Sequence, residues 1–149
     1  MSTADAVRSL LLLMPRIVGR VKRLPVPEQL RDLDLDLAPR HLSLFAQLQY
    51  DGPLTVGQLA ERLEVAPTTV SLMVAELSRR GVLVRREDES DRRRRIVAIA
   101  PDLADAIAEW LGGSARAWTA ALADLTDAER FVVVQAFRAF QDALGVTET

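Results

Sequence analysis

The chain contains no cysteine. That excludes disulfides, cysteine-based zinc sites and thiol redox sensing in one step. It contains one histidine, His41, and a lone imidazole without cysteines or a second histidine is poor zinc chemistry. No metal or other cofactor is expected. Long apolar runs are missing as well. Leu10 to Met14 is a run of five flanked by Asp5, Arg8 and Arg16, too short for a membrane span and too closely flanked by charge for a secretory signal. The expectation is a cytoplasmic protein with no membrane partner. No nucleophile motif stands out and no glycine-rich phosphate loop follows a strand, so the sequence does not read as an enzyme. Aromatic residues are scarce, at 5%. Trp110, Trp118, Phe131, Phe137 and Phe140 could be read as a cofactor box, but aromatics at helical spacing are more often core or interface.

What is there is an ordinary globular composition, 49% apolar and 27% charged over 149 residues, enough to bury a real core. The net charge of −2 gives no reason to expect a polyanionic partner. Local charge does. Between Arg79 and Arg95 stand eight arginines and four acids, a balance of +4 that leaves −6 for the rest of the chain. Positive potential is concentrated in one segment, where a polyanion could find it.

Periodicity divides the chain into three parts. Apolar residues from Ala4 to about Lys22 recur at helical spacing in a broad stripe, with Pro15 expected to kink this helix or shift its start. Leu24 to Asp36 reads as a connection holding at most one short helix. A helix follows from about Pro39, with Leu42, Leu44, Phe45 and Leu48 as its buried face and Asp51-Gly52-Pro53 as its stop. Thr55 and Gln58 form a capping box for a helix through Leu63. Pro67 then stands at a first helical position, before a helix to Arg80 with an apolar stripe of Val70, Val74 and Leu77 and Gly81 as its stop. Two helices with so short a connection form a helix-turn-helix candidate.

The period then changes. Val82 to Val84 and Ile96 to Ile99 are β-formers, and the charged stretch EDESDRRRRIV (87 to 97) lies between and over them. It reads as the loop and first residues of the return strand of a hairpin, with the acids at 87 to 89 facing solvent. The sequence from Pro101 is helical again, with Gly112-Gly113 as a candidate break. Thr126 and Glu129 form another capping box, opening a last helix with Val132, Val133, Ala136, Phe137, Phe140 and Leu144.

A helix fits the major groove of DNA. Pro67, Thr68, Thr69, Ser71 and Leu72 are the candidate contacts on the second helix, where free backbone N–H groups and the helix dipole also suit a phosphate. A hairpin tip can reach the minor groove, which favours arginine. Alternation along the return strand would aim Arg93 and Arg95 to one side and Arg92 and Arg94 to the other. Asp91 fits a partner that holds one of them in a fixed pose. Asp91, Arg92, Arg93 and Arg94 are therefore the candidate wing contacts, and Arg79, Arg85 and Arg86 candidate phosphate contacts.

LAPRHLSLFAQL (37 to 48), DGPLTVGQLAERLEVAPTTVSLMVAELSRRGVLVRRE (51 to 87) and SDRRRRIVAIA (90 to 100) together resemble the MarR family of winged-helix transcription regulators. The resemblance runs from about Leu37 to Ala100. It implies a mainly α fold with a small β-hairpin wing: a winged helix-turn-helix over 37–100, flanked by dimerisation helices within 1–36 and 101–149. It implies a homodimer on double-stranded DNA, an Asp91–Arg93 pair as the minor-groove element, and control by a small, often aromatic or phenolic ligand whose binding site the sequence does not reveal. One departure matters. Many relatives carry an arginine where this chain has Leu72. Either base reading there is apolar, against a thymine methyl, or Leu72 faces away and the wing supplies more of the affinity.

The function expected is thus a DNA-binding transcription regulator, a repressor acting as a dimer on a pseudo-palindromic operator. The alternative is a winged helix used as a protein-interaction module, which would have no need of arginines at the wing tip.

Overall fold

The computed structural model describes residues 1–33, 35, 37 and 39–145. The segment boundary expected at Asp36 and the chain beyond Gly145 lie outside them. Two compact units divide the chain, Met1–Gly113 and a second that starts at Ser114.

In the first unit, α1 (Thr3–Val21) is opened by a capping box that the sequence reading passed over. Ser2 accepts from the Asp5 N–H at 3.2 Å, and the Asp5 carboxylate accepts from the Ser2 N–H at 3.1 Å. Pro15 sits inside this helix and does not start it. None of the residues of its apolar stripe is fully buried. The connection holds one short helix, α2 (Glu28–Arg31), which seats Leu30 in the core.

The core forms where three further helices and a hairpin meet, with Ala106 and Ile107 also buried in it. α3 (Pro39–Asp51) supplies Leu44, Phe45 and Leu48, while Leu42, expected to be buried with them, is only half-buried. Gly52 stops α3 in the left-handed region, at φ 76°, where a side chain would be strained. α4 (Val56–Leu63) begins at the expected capping box, with Thr55 accepting from the Gln58 N–H at 3.1 Å and Gln58 accepting from the Thr55 N–H at 2.9 Å. Glu64 adopts the left-handed conformation at φ 54° and turns the chain, so that α5 (Pro67–Arg79) can start three residues later. α5 buries Val70, Met73, Val74 and Leu77, one more side chain than the expected stripe because Met73 shares its angular position on the helix.

β1 (Leu83–Glu87) and β2 (Arg95–Ile99) pair antiparallel, from Leu83 opposite Ile99 to Glu87 opposite Arg95. The first strand is longer than expected. Arg85, Arg86 and Glu87 belong to it, opposite Val97, Ile96 and Arg95. Leu54 adds a one-residue bridge on the other edge of β2, exchanging hydrogen bonds with Val97 at 3.1 and 2.7 Å. No sequence pattern marks a strand one residue long.

After a 3₁₀ turn at Pro101–Leu103, α6 (Ala104–Leu122) runs without interruption through Gly112 and Gly113. The expected break is absent. A Cβ on Gly113 would meet the Leu24 side chain at 3.3 Å, so the glycine serves close packing in this unit. In α6, Trp110 stacks edge-on against Phe45, with ring centroids 6.1 Å apart. Within the second unit, α7 (Asp127–Gly145) opens at the expected Thr126–Glu129 capping box. Trp118 meets Phe137 edge-on at 5.7 Å. Phe131 and Phe140 remain exposed, and α7 buries no residue.

Candidate nucleic-acid interface

α5 has two faces set by its 3.6-residue period. Opposite the buried stripe lie Thr68, Leu72, Ala75 and Arg79, successive residues one turn apart. Thr68, Leu72 and Arg79 are exposed; Ala75 is half-buried. Pro67 and Ser71 are also exposed, and Thr69 is half-buried at the edge of the face. Leu72 is 72% exposed. Pro67 at the first helical position removes an N–H that would lack an intrahelical partner there. Towards the C-terminal end, Glu76 pairs with both Arg79 and Arg80, the latter at 3.3 Å. Arg80 also donates to the Leu33 carbonyl at 3.2 Å.

β1 follows α5 directly, joined through Gly81 at φ 74° and the Val82 N–H, which donates to the Leu77 carbonyl at 2.8 Å. Alternation along β1 sends Arg85 and Arg86 to opposite faces. Both are exposed. Arg86 borders a shallow groove of about 260 Å³ between the hairpin, the end of α3 and the start of α6, together with Gln49, Pro53 and Val84.

The tip corrects the expected geometry of the arginines. Arg92 and Arg93 lie in a turn and Arg94 just after it; only Arg95 is in β2, so strand alternation does not set their directions. Side-chain capping does. Asp91 accepts from the Arg93 N–H at 3.1 Å, and the Arg94 N–H closes the turn on the Asp91 carbonyl at 2.9 Å. The Asp91 carboxylate also lies 3.5 Å from the Arg93 guanidinium. Asp88 is not solvated as its neighbours are. It accepts from the Ser90 N–H and hydroxyl at 3.0 and 2.8 Å and stands 4.0 Å from Arg94. The Ser90 hydroxyl and N–H hold its carboxyl below the usual aspartate range. Sequence reasoning missed this residue, although Asp followed two positions later by Ser is the spacing of a side-chain-capped turn.

Three acids thus pair with three arginines along the wing: Glu87 with Arg95 at 3.9 Å, Asp88 with Arg94, and Asp91 with Arg93. Exposed pairs of this kind contribute at most about 1 kcal/mol each. They orient the guanidinium groups and are weak enough for a phosphate or a base edge to replace. No ion pair or hydrogen bond among the described residues engages the side chain of Arg92, which is exposed.

A helix-turn-helix with a basic hairpin beside its second helix defines a winged-helix protein. Residues 35–94 match the MarR family. Over 68 residues the chain is 35% identical to the HTH-type transcriptional repressor MdtR of Bacillus subtilis (strain 168), a match covering 45% of this chain and 44% of that one. The similarity to this curated relative therefore spans less than half its length. Among solved structures, a MarR-like transcriptional regulator from Thermotoga maritima superposes with a TM-score of 0.58 at 24% identity, over 97% of this chain and 98% of that one. Bordetella bronchiseptica BpsR, whose DNA binding is regulated by 6-hydroxynicotinic acid, superposes with a TM-score of 0.58 at 18% identity, over 95% and 94%. At these identities the superpositions establish the fold. No helix among the described residues is long and apolar enough to cross a membrane.

Proposed function

We propose that the chain is a sequence-specific DNA-binding transcription regulator of the cytoplasm, a repressor that acts as a homodimer on a pseudo-palindromic operator. The observation that carries this reading is the pairing of an outward, uncharged helix face at Thr68 and Leu72 with a side-chain-capped tip bearing Arg92 to Arg95, in a chain whose remaining charge is negative. In this reading Pro67, Thr68, Thr69, Ser71 and Leu72 meet the major groove. Asp91 positions Arg93 in the minor groove, with Arg92 and Arg94 beside it. Arg79, Arg85 and Arg86 take phosphates, the last two from opposite faces of β1.

The dimer is supported by what α1 and α7 leave uncovered. Leu10, Leu11 and Leu12 on α1, and Phe131, Val132 and Phe140 on α7, are all exposed. Apolar surfaces of this kind mark association sites. α1 also holds an interior proline, which costs an isolated helix about 3 kcal/mol. A second copy covering α1 offsets that cost. The segments 1–36 and 101–149 are accordingly the dimerisation parts and 37–100 the DNA-binding part. Control by a small effector that shifts the spacing of the two α5 helices belongs to the same reading, in line with the ligand-regulated DNA binding of BpsR.

The test is titration of the purified protein into duplexes from its own upstream region, at several salt concentrations and against excess random competitor. Competitor-resistant binding that weakens steeply with salt is expected. Binding shared equally with random DNA would favour a winged helix that serves protein interaction.

A further inference from the structure

The outward face of α5 is defined by what it omits. From Val65 to Ala75 the chain has no charged residue, no asparagine and no glutamine. Bidentate reading of guanine needs arginine or lysine, and bidentate reading of adenine needs asparagine or glutamine. The first charged side chain on the helix is Glu76, and both of its carboxylate oxygens are engaged by Arg79 and Arg80. The part of α5 that would lie deepest in a groove therefore offers hydroxyls, methyls and one large apolar group.

That group is Leu72. Among the described residues its 72% exposure is exceeded, for large hydrophobic side chains, only by that of Met1. It stands one turn beyond Thr68 on the line opposite Val70, Val74 and Leu77, so it contributes nothing to the core of its own subunit. The major groove presents one apolar group on its base edges, the 5-methyl of thymine.

We propose that Leu72 is the specificity-determining residue of α5, packing against thymine 5-methyl groups, so that each half-site carries thymine beneath the middle of the helix. This inference rests on the DNA-binding reading. The wing selects in the same direction. Arginines held at a tip favour the narrow, negative minor groove of A·T tracts, and Asp91 caps and pairs with Arg93 at this tip. Helix and wing together specify an A·T-rich half-site in which Leu72 fixes where thymine stands.

The experiment begins with selection of binding sequences from random duplex DNA by the full chain. Each thymine of the selected site is then replaced by deoxyuridine, which removes the methyl and leaves the base-pairing edge unchanged. The wild type should lose affinity at one or two thymines per half-site, about fourfold for each methyl removed from an apolar contact. Leu72→Ala should bind the thymine duplex more weakly and be indifferent to the same replacements. Its melting temperature should be unchanged, which separates a lost contact from a lost fold. Two results would overturn the inference while leaving the DNA-binding reading in place: selective binding with no uracil effect, or a uracil effect that persists in Leu72→Ala. Selection that enriches no sequence would overturn both.

Discussion

The Asp88 carboxylate accepts two hydrogen bonds from Ser90, while the Asp88 backbone N–H donates to the Arg94 carbonyl at 3.0 Å. One residue thereby ties the start of the wing loop both to its middle and to its end. Asp91 repeats the device three residues on, capping the Arg93 N–H. A charged loop of this composition would otherwise be ordered only when bound, and ordering on binding costs affinity.

Asp88→Ala is therefore expected to weaken operator binding several-fold while the melting temperature and the salt slope stay near wild type, because the phosphate contacts remain and only their preorganisation is lost. Anisotropy titrations at three salt concentrations measure both quantities. A slope that falls along with the affinity would make Asp88 part of the charge balance and not a positioning residue.

The same geometry gives a pH signature. Hydrogen bonds from Ser90 lower the Asp88 pKa in the folded protein, so this group stabilises the wing above the unfolded value of about 3.9. The contribution disappears as pH falls through the lower folded value. An NMR titration of the Asp88 carboxyl should show a midpoint below 3.9, with the Ser90 amide shifting in step. A midpoint at or above 3.9 would contradict the capped loop. No change from this group is expected between pH 5 and 8.

Arg93→Ala should reduce operator affinity at least tenfold without altering stability, since its side chain is 94% exposed and its pair with Asp91 is a surface pair. Equilibrium binding and thermal melting decide it. Unchanged affinity would remove Arg93 from the contact set.

Phe45 is fully buried and packs edge-on against Trp110. Phe45→Ala should cost about 3 to 5 kcal/mol in urea unfolding. Thr55→Ala, which removes the cap of α4, should cost about 0.5 to 2 kcal/mol. A smaller loss at Phe45 than at Thr55 would mean that the core does not depend on this aromatic pair.

Leu11→Asp on α1 and Phe131→Asp on α7 place charge on side chains that are 67% and 64% exposed in the single chain. Sedimentation should show wild type at twice the 16.5 kDa of the chain and the variants shifted toward it. Wild type sedimenting as a monomer would refute the dimer.

Much of this was legible in the sequence because local signals agreed with one another. The Thr55 and Thr126 capping boxes, Pro67 at a helix start, and Gly52 and Gly81 as stops all act over three or four residues, and each stands where expected. What escaped were features decided by contacts distant in sequence. Leu54 joins the hairpin only because Val97 is beside it. Gly112 and Gly113 look like a break until Leu24 is placed against Gly113. At the wing, strand periodicity does not apply to Arg92 to Arg94, since two short side-chain-capped turns govern that loop. The outward direction of Leu72 followed only once the buried stripe of α5 was fixed.

The measurement that bears most directly on the central claim is a hydroxyl-radical footprint of the protein on its selected site, with stoichiometry determined on the same duplex. Two protected patches related by a two-fold axis, with centres about one helical turn apart and two chains per duplex, are the expected result. Uniform protection wherever the protein is added, or one chain per duplex with a single patch, would contradict a dimeric regulator that reads DNA through α5 and its wing.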